Sequence, residues 1–152
     1  MKKFELTAES KINWFGRTLF RIKACIDFTT TSGDEVHKGD LGGFVEKESN
    51  LSHSGKAWVW GNAEVCGDAS IFSTKHIFCI TPIGDYANSL TVFRTKHLEI
   101  KISFEWELYT LDEFNDVIDE WDDMKNREVA RAALEVAKMH IDLNPEEKKG
   151  DD

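Results

Sequence analysis

Nowhere in the 152 residues does an apolar run approach the roughly 18–20 residues a membrane span needs, and the opening Met-Lys-Lys-Phe-Glu leads into no apolar signal core. The chain therefore reads as a soluble, cytoplasmic protein. Cysteine is scarce. Cys25, Cys66 and Cys79 are odd in number, widely spaced and never in a C-x-x-C arrangement, which argues against a disulfide framework or a thiolate zinc site and leaves reduced, structural thiols. His37, His53, His76, His97 and His140 form no H-x-H or H-x-x-x-H pair, and no carboxylates interleave as in D-x-D-x-D-G. The serine elbow G-x-S-x-G and the phosphate loop G-x-x-x-x-G-K-S/T are missing as well. Neither a metal nor a cofactor is expected.

Basic charge is also lacking where nucleic acid would need it. Residues 1–75 carry ten Lys/Arg against ten Asp/Glu, whereas 76–152 carry nine against eighteen, so the whole net charge of −9 lies in the second half. Affinity for a phosphate backbone comes largely from Lys and Arg displacing counterions, which makes direct nucleic-acid binding the wrong expectation. An acidic face instead attracts a basic protein surface.

What is present begins with a strand. Residues 18–28 place Phe20, Ile22, Ala24, Ile26 and Phe28 two apart, the alternation of a half-buried strand. Thr29 to Gly43 is rich in Thr, Gly and Asp, and its Gly42-Gly43 pair reads as a turn with positive φ. A six-residue repeat then runs Gly55-Lys-Ala-Trp-Val-Trp60, Gly61-Asn-Ala-Glu-Val-Cys66, Gly67-Asp-Ala-Ser-Ile-Phe72, with worn copies back to Gly43. One column is Val45, Leu51, Ala57, Ala63, Ala69; the next is Lys47, His53, Val59, Val65, Ile71. Fixed-period self-similarity of this kind predicts a solenoid whose columns point inward.

After it, 76–81, 89–95 and 98–104 are three β-type runs, the last two joined by a turn near Lys96-His97. Thr110-Leu-Asp-Glu113 is a capping box, and Leu111, Phe114, Val117, Ile118 and Trp121 follow at helical spacing, predicting a helix over 111–124. A second helix over 127–142 carries Ala130, Ala133, Leu134, Ala137 and Ile141 on one side. Residues 144–152 are charged and predicted to be a disordered tail.

The hexads resemble the hexapeptide-repeat family of left-handed β-helices, in which three hexads make one triangular coil. Leu19 to Ala24, Lys38 to Ser52, the hexads, Thr81-Pro-Ile-Gly84, Phe93-Arg-Thr95 and Thr110 to Phe114 are together similar to small proteins encoded by bacteriophages and prophages, a group of unassigned activity. The resemblance implies an α+β chain: residues 1–75 form an N-terminal strand plus a short left-handed β-helix, and residues 76–143 a small antiparallel sheet with two helices. It also implies a bacterial host cell as the setting. Hexapeptide acyltransferases would further imply a coenzyme A groove and a catalytic histidine, for which His53 is the nearest candidate; a fraying coil end makes it a structural residue instead.

Two surfaces stand out. Trp58 and Trp60 flank Val59, so a pleated strand would put both indoles outside, covered either by the C-terminal module or by a subunit or partner. Asp112, Asp116, Asp119, Glu120 and Asp123 form a carboxylate stripe opposite Phe114, Ile118 and Trp121, a solvated helix face or a mimic of a nucleic-acid backbone. The expected function is non-enzymatic binding to a basic protein surface, as in a phage accessory protein that inhibits a host defence system such as an anti-CRISPR. The alternatives are an acyltransferase-like enzyme and a structural protein that oligomerises through the solenoid.

Overall fold

The computed structural model describes residues 2–12, 16–105 and 107–145. β1 (Phe4–Ile12) pairs antiparallel with β2 (Thr18–Ala24), a short ribbon of β3 (Phe28–Thr29) and β4 (Glu35–Val36) follows, and β5 (Leu41–Val45) returns antiparallel to β2. β6 (Glu64–Val65) then adds to β5 in parallel, giving a sheet of order β1-β2-β5-β6. The alternation predicted for 18–28 holds as strand only to Ala24, beyond which the chain bends before β3. β1 escaped the sequence reading because it hardly alternates: of its nine residues only Phe4 is buried. Its register slips between Leu6 and Ser10, an irregularity that disrupts the free edge and protects it from further strand addition.

The β-helix expected from the hexads is not what forms. Among the described residues the repeat region contributes only β5, β6 and isolated bridges, and these join mixed and antiparallel sheets rather than stacked coils. The reason lies in the partners. β2 already occupies one edge of β5, while the lysine ammonium of Lys3, buried, donates to the carbonyls of Gly55 and Ala57 at 2.8 Å each and holds that segment as irregular chain. Most of the two predicted columns is buried: Val45, Leu51, Ala57, Ala63, Ala69, Val59, Val65 and Ile71 all lie in the first apolar core, with Phe4 and Ile22, whereas Lys47 is exposed and His53 half-buried. Gly42-Gly43 is likewise no turn. Both lie in β5, where an added Cβ would stand 2.6 Å from the Val59 carbonyl oxygen and 2.7 Å from that of Ala63 respectively, so close backbone approach is what glycine permits there.

In the second half, β7 (Ile77–Ile83), β8 (Asn88–Arg94) and β9 (Ile100–Phe104) form the antiparallel sheet read from the sequence, and β10 (Glu107–Thr110) extends it to the order β10-β9-β8-β7. The Lys96-His97 turn is braced by the Thr95 hydroxyl, which accepts the amides of His97 and Glu99 at 3.2 Å. Along β8 the alternation divides the labour. Leu90 and Val92, opposite Phe104 and Ile102, face α1 (Leu111–Asp119) and α2 (Met124–His140) in a second core; Thr91 and Phe93 face the N-terminal half, where the Thr91 hydroxyl accepts the Glu64 amide at 3.0 Å. The chain end is strapped down as far as Asn144: the buried Arg94 guanidinium donates to the carbonyls of Asp142 and Asn144 at 2.7 and 2.8 Å. Residues 146–152, where most of the predicted tail falls, lie outside the described residues.

Candidate functional site

The helix pair builds the most distinctive surface, and its local chemistry starts at Thr110. The Thr110 hydroxyl accepts the Glu113 amide at 3.1 Å and the Glu113 carboxylate accepts the Thr110 amide at 2.8 Å, the reciprocal cap that the sequence predicted. α1 buries Phe114 and Ile118 and turns Asp112, Asp116 and Asp119 to solvent. It stops at Asp119, with Glu120 as its C-cap, five residues short of the expected end. Asp123 therefore leaves the stripe: its carboxylate caps α2 by accepting the Asn126 amide at 3.0 Å. Asp119 is held by an ion pair to Arg131 of α2. Asp112, Asp116 and Glu120 form no salt bridge among the described residues, and they constitute a ridge of unneutralised carboxylates.

α2 runs antiparallel to α1, since Asp119 meets Arg131 while Asp112 and Asn115 line a cleft with Glu135 and Lys138. Its small residues Ala130, Ala133 and Ala137, with Leu134, are buried on the sheet, as read from the sequence. The sequence reading missed its other side. Val129, Ala132, Val136 and Met139 follow a spacing of three and four residues, and all are exposed, Val136 at 46 % and Met139 at 79 %. A surface helix ordinarily carries polar residues there. At the end of the pair, Asn126 bonds Asp85 of the β7–β8 hairpin, which presents Tyr86 at 82 % exposure.

The tryptophan expectation is corrected. Residues 57–60 form no strand, so the pleat argument does not apply, and Ala57, Trp58 and Val59 are all buried in succession. Trp58 is 1 % exposed, with Phe28 edge-on at 5.7 Å, in a core that is mostly N-terminal but also takes in Phe93 of β8; its neighbour Trp60 is exposed. His53 has both ring nitrogens engaged: Nδ1 accepts the Lys3 amide at 3.1 Å, so Nε2 carries the proton and donates to Glu48 at 3.0 Å, with Phe4 stacked at 4.3 Å. The arrangement is that of a structural histidine. His76 is buried, and burial, reinforced by Arg94, pushes its imidazole down to about 4.

Other features offer less chemistry. The three thiols are free; burial pushes the Cys66 thiol up to about 11, which keeps it protonated and unreactive, and desolvation raises Cys79 too. Between the two halves lies a cleft of about 510 Å³ lined by Lys11, Asn62, Glu64, Asn88 and Glu105, where the lysine ammonium is already neutralised by Glu64 at 3.0 Å. Among the described residues no group of three or more His, Cys, Asp or Glu side chains could hold a metal ion, and no helix is long and apolar enough to cross a membrane. No family model matches the chain, no curated protein and no solved structure matches it, and no enzymatic family is indicated for it.

Proposed function

We propose that this chain is a non-enzymatic protein-binding module, a phage accessory protein that engages a basic surface of a host defence component through the outer face of its helix pair. The observation that carries the reading is a carboxylate ridge on α1, Asp112, Asp116 and Glu120, without ion-pair partners among the described residues, on a helix pair that also exposes the apolar residues Val129, Val136 and Met139 of α2. Interfaces gain affinity from desolvated apolar contacts and gain rate and selectivity from complementary charge. The helix pair offers both. The phage setting is supported by the sequence resemblance alone.

The test is co-purification from a bacterial lysate on the immobilised chain, compared with the double variant Asp116→Lys, Glu120→Lys. Both positions are exposed, Asp116 in the second half of α1 and Glu120 at its C-cap, where a cation suits the helix dipole, so the variant folds. The expected result is a discrete partner retained by the natural chain, released between about 0.1 and 1 M salt as screening shortens to a few ångströms, and lost on the variant. Equal recovery on both chains contradicts the proposal.

A further inference from the structure

We propose that two copies of this chain pair antiparallel through the free edge of β7, with α2 of each copy closing over the joint. In the sheet β10-β9-β8-β7, β7 is outermost, and among the described residues only β8 bonds its backbone. Its sequence, Ile77-Phe-Cys-Ile-Thr-Pro-Ile83, carries no charge. Other outer strands are guarded or short: β1 carries Glu5, Glu9 and Lys11 and slips in register, while β6 and β10 are two and four residues long. On β7 only the far end is blunted, by Pro82 and the register shift after Ile80, which leaves Ile77 to Thr81 open. A row of unpaired amides and carbonyls is matched by another strand.

The helix above that edge says which strand. Asn126, Val129, Ala133, Val136 and His140 fall on one line of α2, on the side away from the Arg131, Glu135 and Lys138 that face α1. The line is anchored beside β7 at both ends: Asn126 bonds Asp85, and His140 Nε2 lies 2.7 Å from the Thr74 carbonyl oxygen, its ring 6.1 Å from that of Phe78. Val129 and Val136, both exposed, overhang the edge on either side of the helix midpoint. A two-fold axis through the middle of the open strand therefore suits both layers at once. It sets Phe78 of one copy against Ile80 of the other, on the face both turn to the second core, and Val129 of one against Val136 of the other. Cys79, exposed on the opposite face of β7, falls at the axis. The α1 ridge lies across α2 from the joint, so the like charges of the two copies stay apart. A joint one strand and one helix deep buries on the order of 1,000 Å² in total, below the roughly 1,600 Å² of standard stable interfaces, so the pair is reversible, with a Kd on the order of tens of micromolar. Below that concentration the chain is single and the α2 flank is open to other proteins.

The test follows the whole chain by sedimentation velocity between about 1 and 500 µM, where the natural chain is expected to pass from one copy to two. Thr81→Lys, exposed on the strand, and Val136→Asp, exposed on the helix, are each expected to raise the Kd at least about tenfold. If the strand variant does not fold, the helix variant reads the same joint. A short bismaleimide should link Cys79 of one copy to Cys79 of the other at high concentration, giving a double-mass band that Cys79→Ser abolishes. A chain that stays single throughout, a pair indifferent to both substitutions, or a pair that the reagent does not link through Cys79 would each overturn the inference. None of these outcomes bears on capture of a different partner, which is read at concentrations far below that Kd.

Discussion

Replacing His76 by asparagine isolates one buried imidazole and its dependence on pH. His76 is fully buried, its Nδ1 accepts the Phe72 amide at 3.2 Å, and its ring meets the Phe72 ring edge-on at 4.3 Å. With Nδ1 accepting, the proton sits on Nε2, which finds no hydrogen-bond partner among the described residues. Burial, then the Arg94 guanidinium, lowers its pKa to about 4, against weaker help from Asp142 and further opposition from His140. An unfolded histidine titrates near 6.5, so between about pH 6.5 and 4 the unfolded chain holds more protons than the native one, and this group removes stability as pH falls through that window. At pH 4.5 the loss relative to neutral pH is about 2.5 kcal/mol. Asparagine keeps an acceptor for the Phe72 amide but takes up no proton. Urea unfolding followed by tryptophan fluorescence, on both chains at pH 7.5 and 4.5, should show the natural chain losing about 2.5 kcal/mol more than His76→Asn. Contributions from the carboxylates largely cancel in that difference. Parallel losses within about 0.5 kcal/mol would refute the buried, neutral imidazole.

Three further outcomes are expected. Lys3→Met removes two buried bonds from an ammonium to the Gly55 and Ala57 carbonyls and should cost about 2–3 kcal/mol in urea unfolding, since hydrogen bonds to charged groups are worth about 1.5–3; a loss below about 0.5 would mean water replaces the lysine there. Thr110→Ala removes the α1 cap, and calorimetry should show a loss of about 1 kcal/mol, or about 3 °C in Tm, with α1 otherwise intact. Gly42→Ala would place a methyl 2.6 Å from the Val59 carbonyl oxygen and 2.8 Å from the Trp58 ring, so a cost of about 1–3 kcal/mol and an altered near-ultraviolet tryptophan signal are expected; an unchanged signal would argue against that close approach.

Periodicity carried much of the second half. The capping box at Thr110, the three strands from Ile77 to Phe104 and the alanine face of α2 all came from local spacing; the two helices each bury one side and leave the other wet, whereas β8 buries both faces and is marked by its β-branched and aromatic run. The hexads show where spacing stops. A repeat states which residues avoid water, and Ala57, Val59, Ala63 and Val65 do; it does not state which strand pairs with which, and β2 took the edge of β5 that a coil would have needed. Trp58 was misplaced for a related reason, since reading its neighbours as alternating presumed a strand where Lys3 holds the chain irregular. β1 and β10 lacked alternation and so left no signal. Of the predicted acidic stripe, Asp112, Asp116, Asp119 and Glu120 are exposed as their spacing implied, while Asp123 caps α2 instead, a role hidden by taking α1 too far. The stripe from Val129 to Met139 was present in the sequence at helical spacing, and the buried alanines on the opposite side drew the reading away from it.

Site-specific photo-crosslinking in bacterial lysate addresses the binding face directly. A benzophenone side chain placed at Val136, in the stripe, is compared with one at Glu5, exposed on β1 at the opposite end of the chain. Recognition through the helix pair predicts a discrete crosslinked adduct from position 136, suppressed by Asp116→Lys with Glu120→Lys, and none from position 5. An adduct from position 5 with none from 136, or a 136 adduct indifferent to the charge reversal, would place recognition elsewhere and contradict the account.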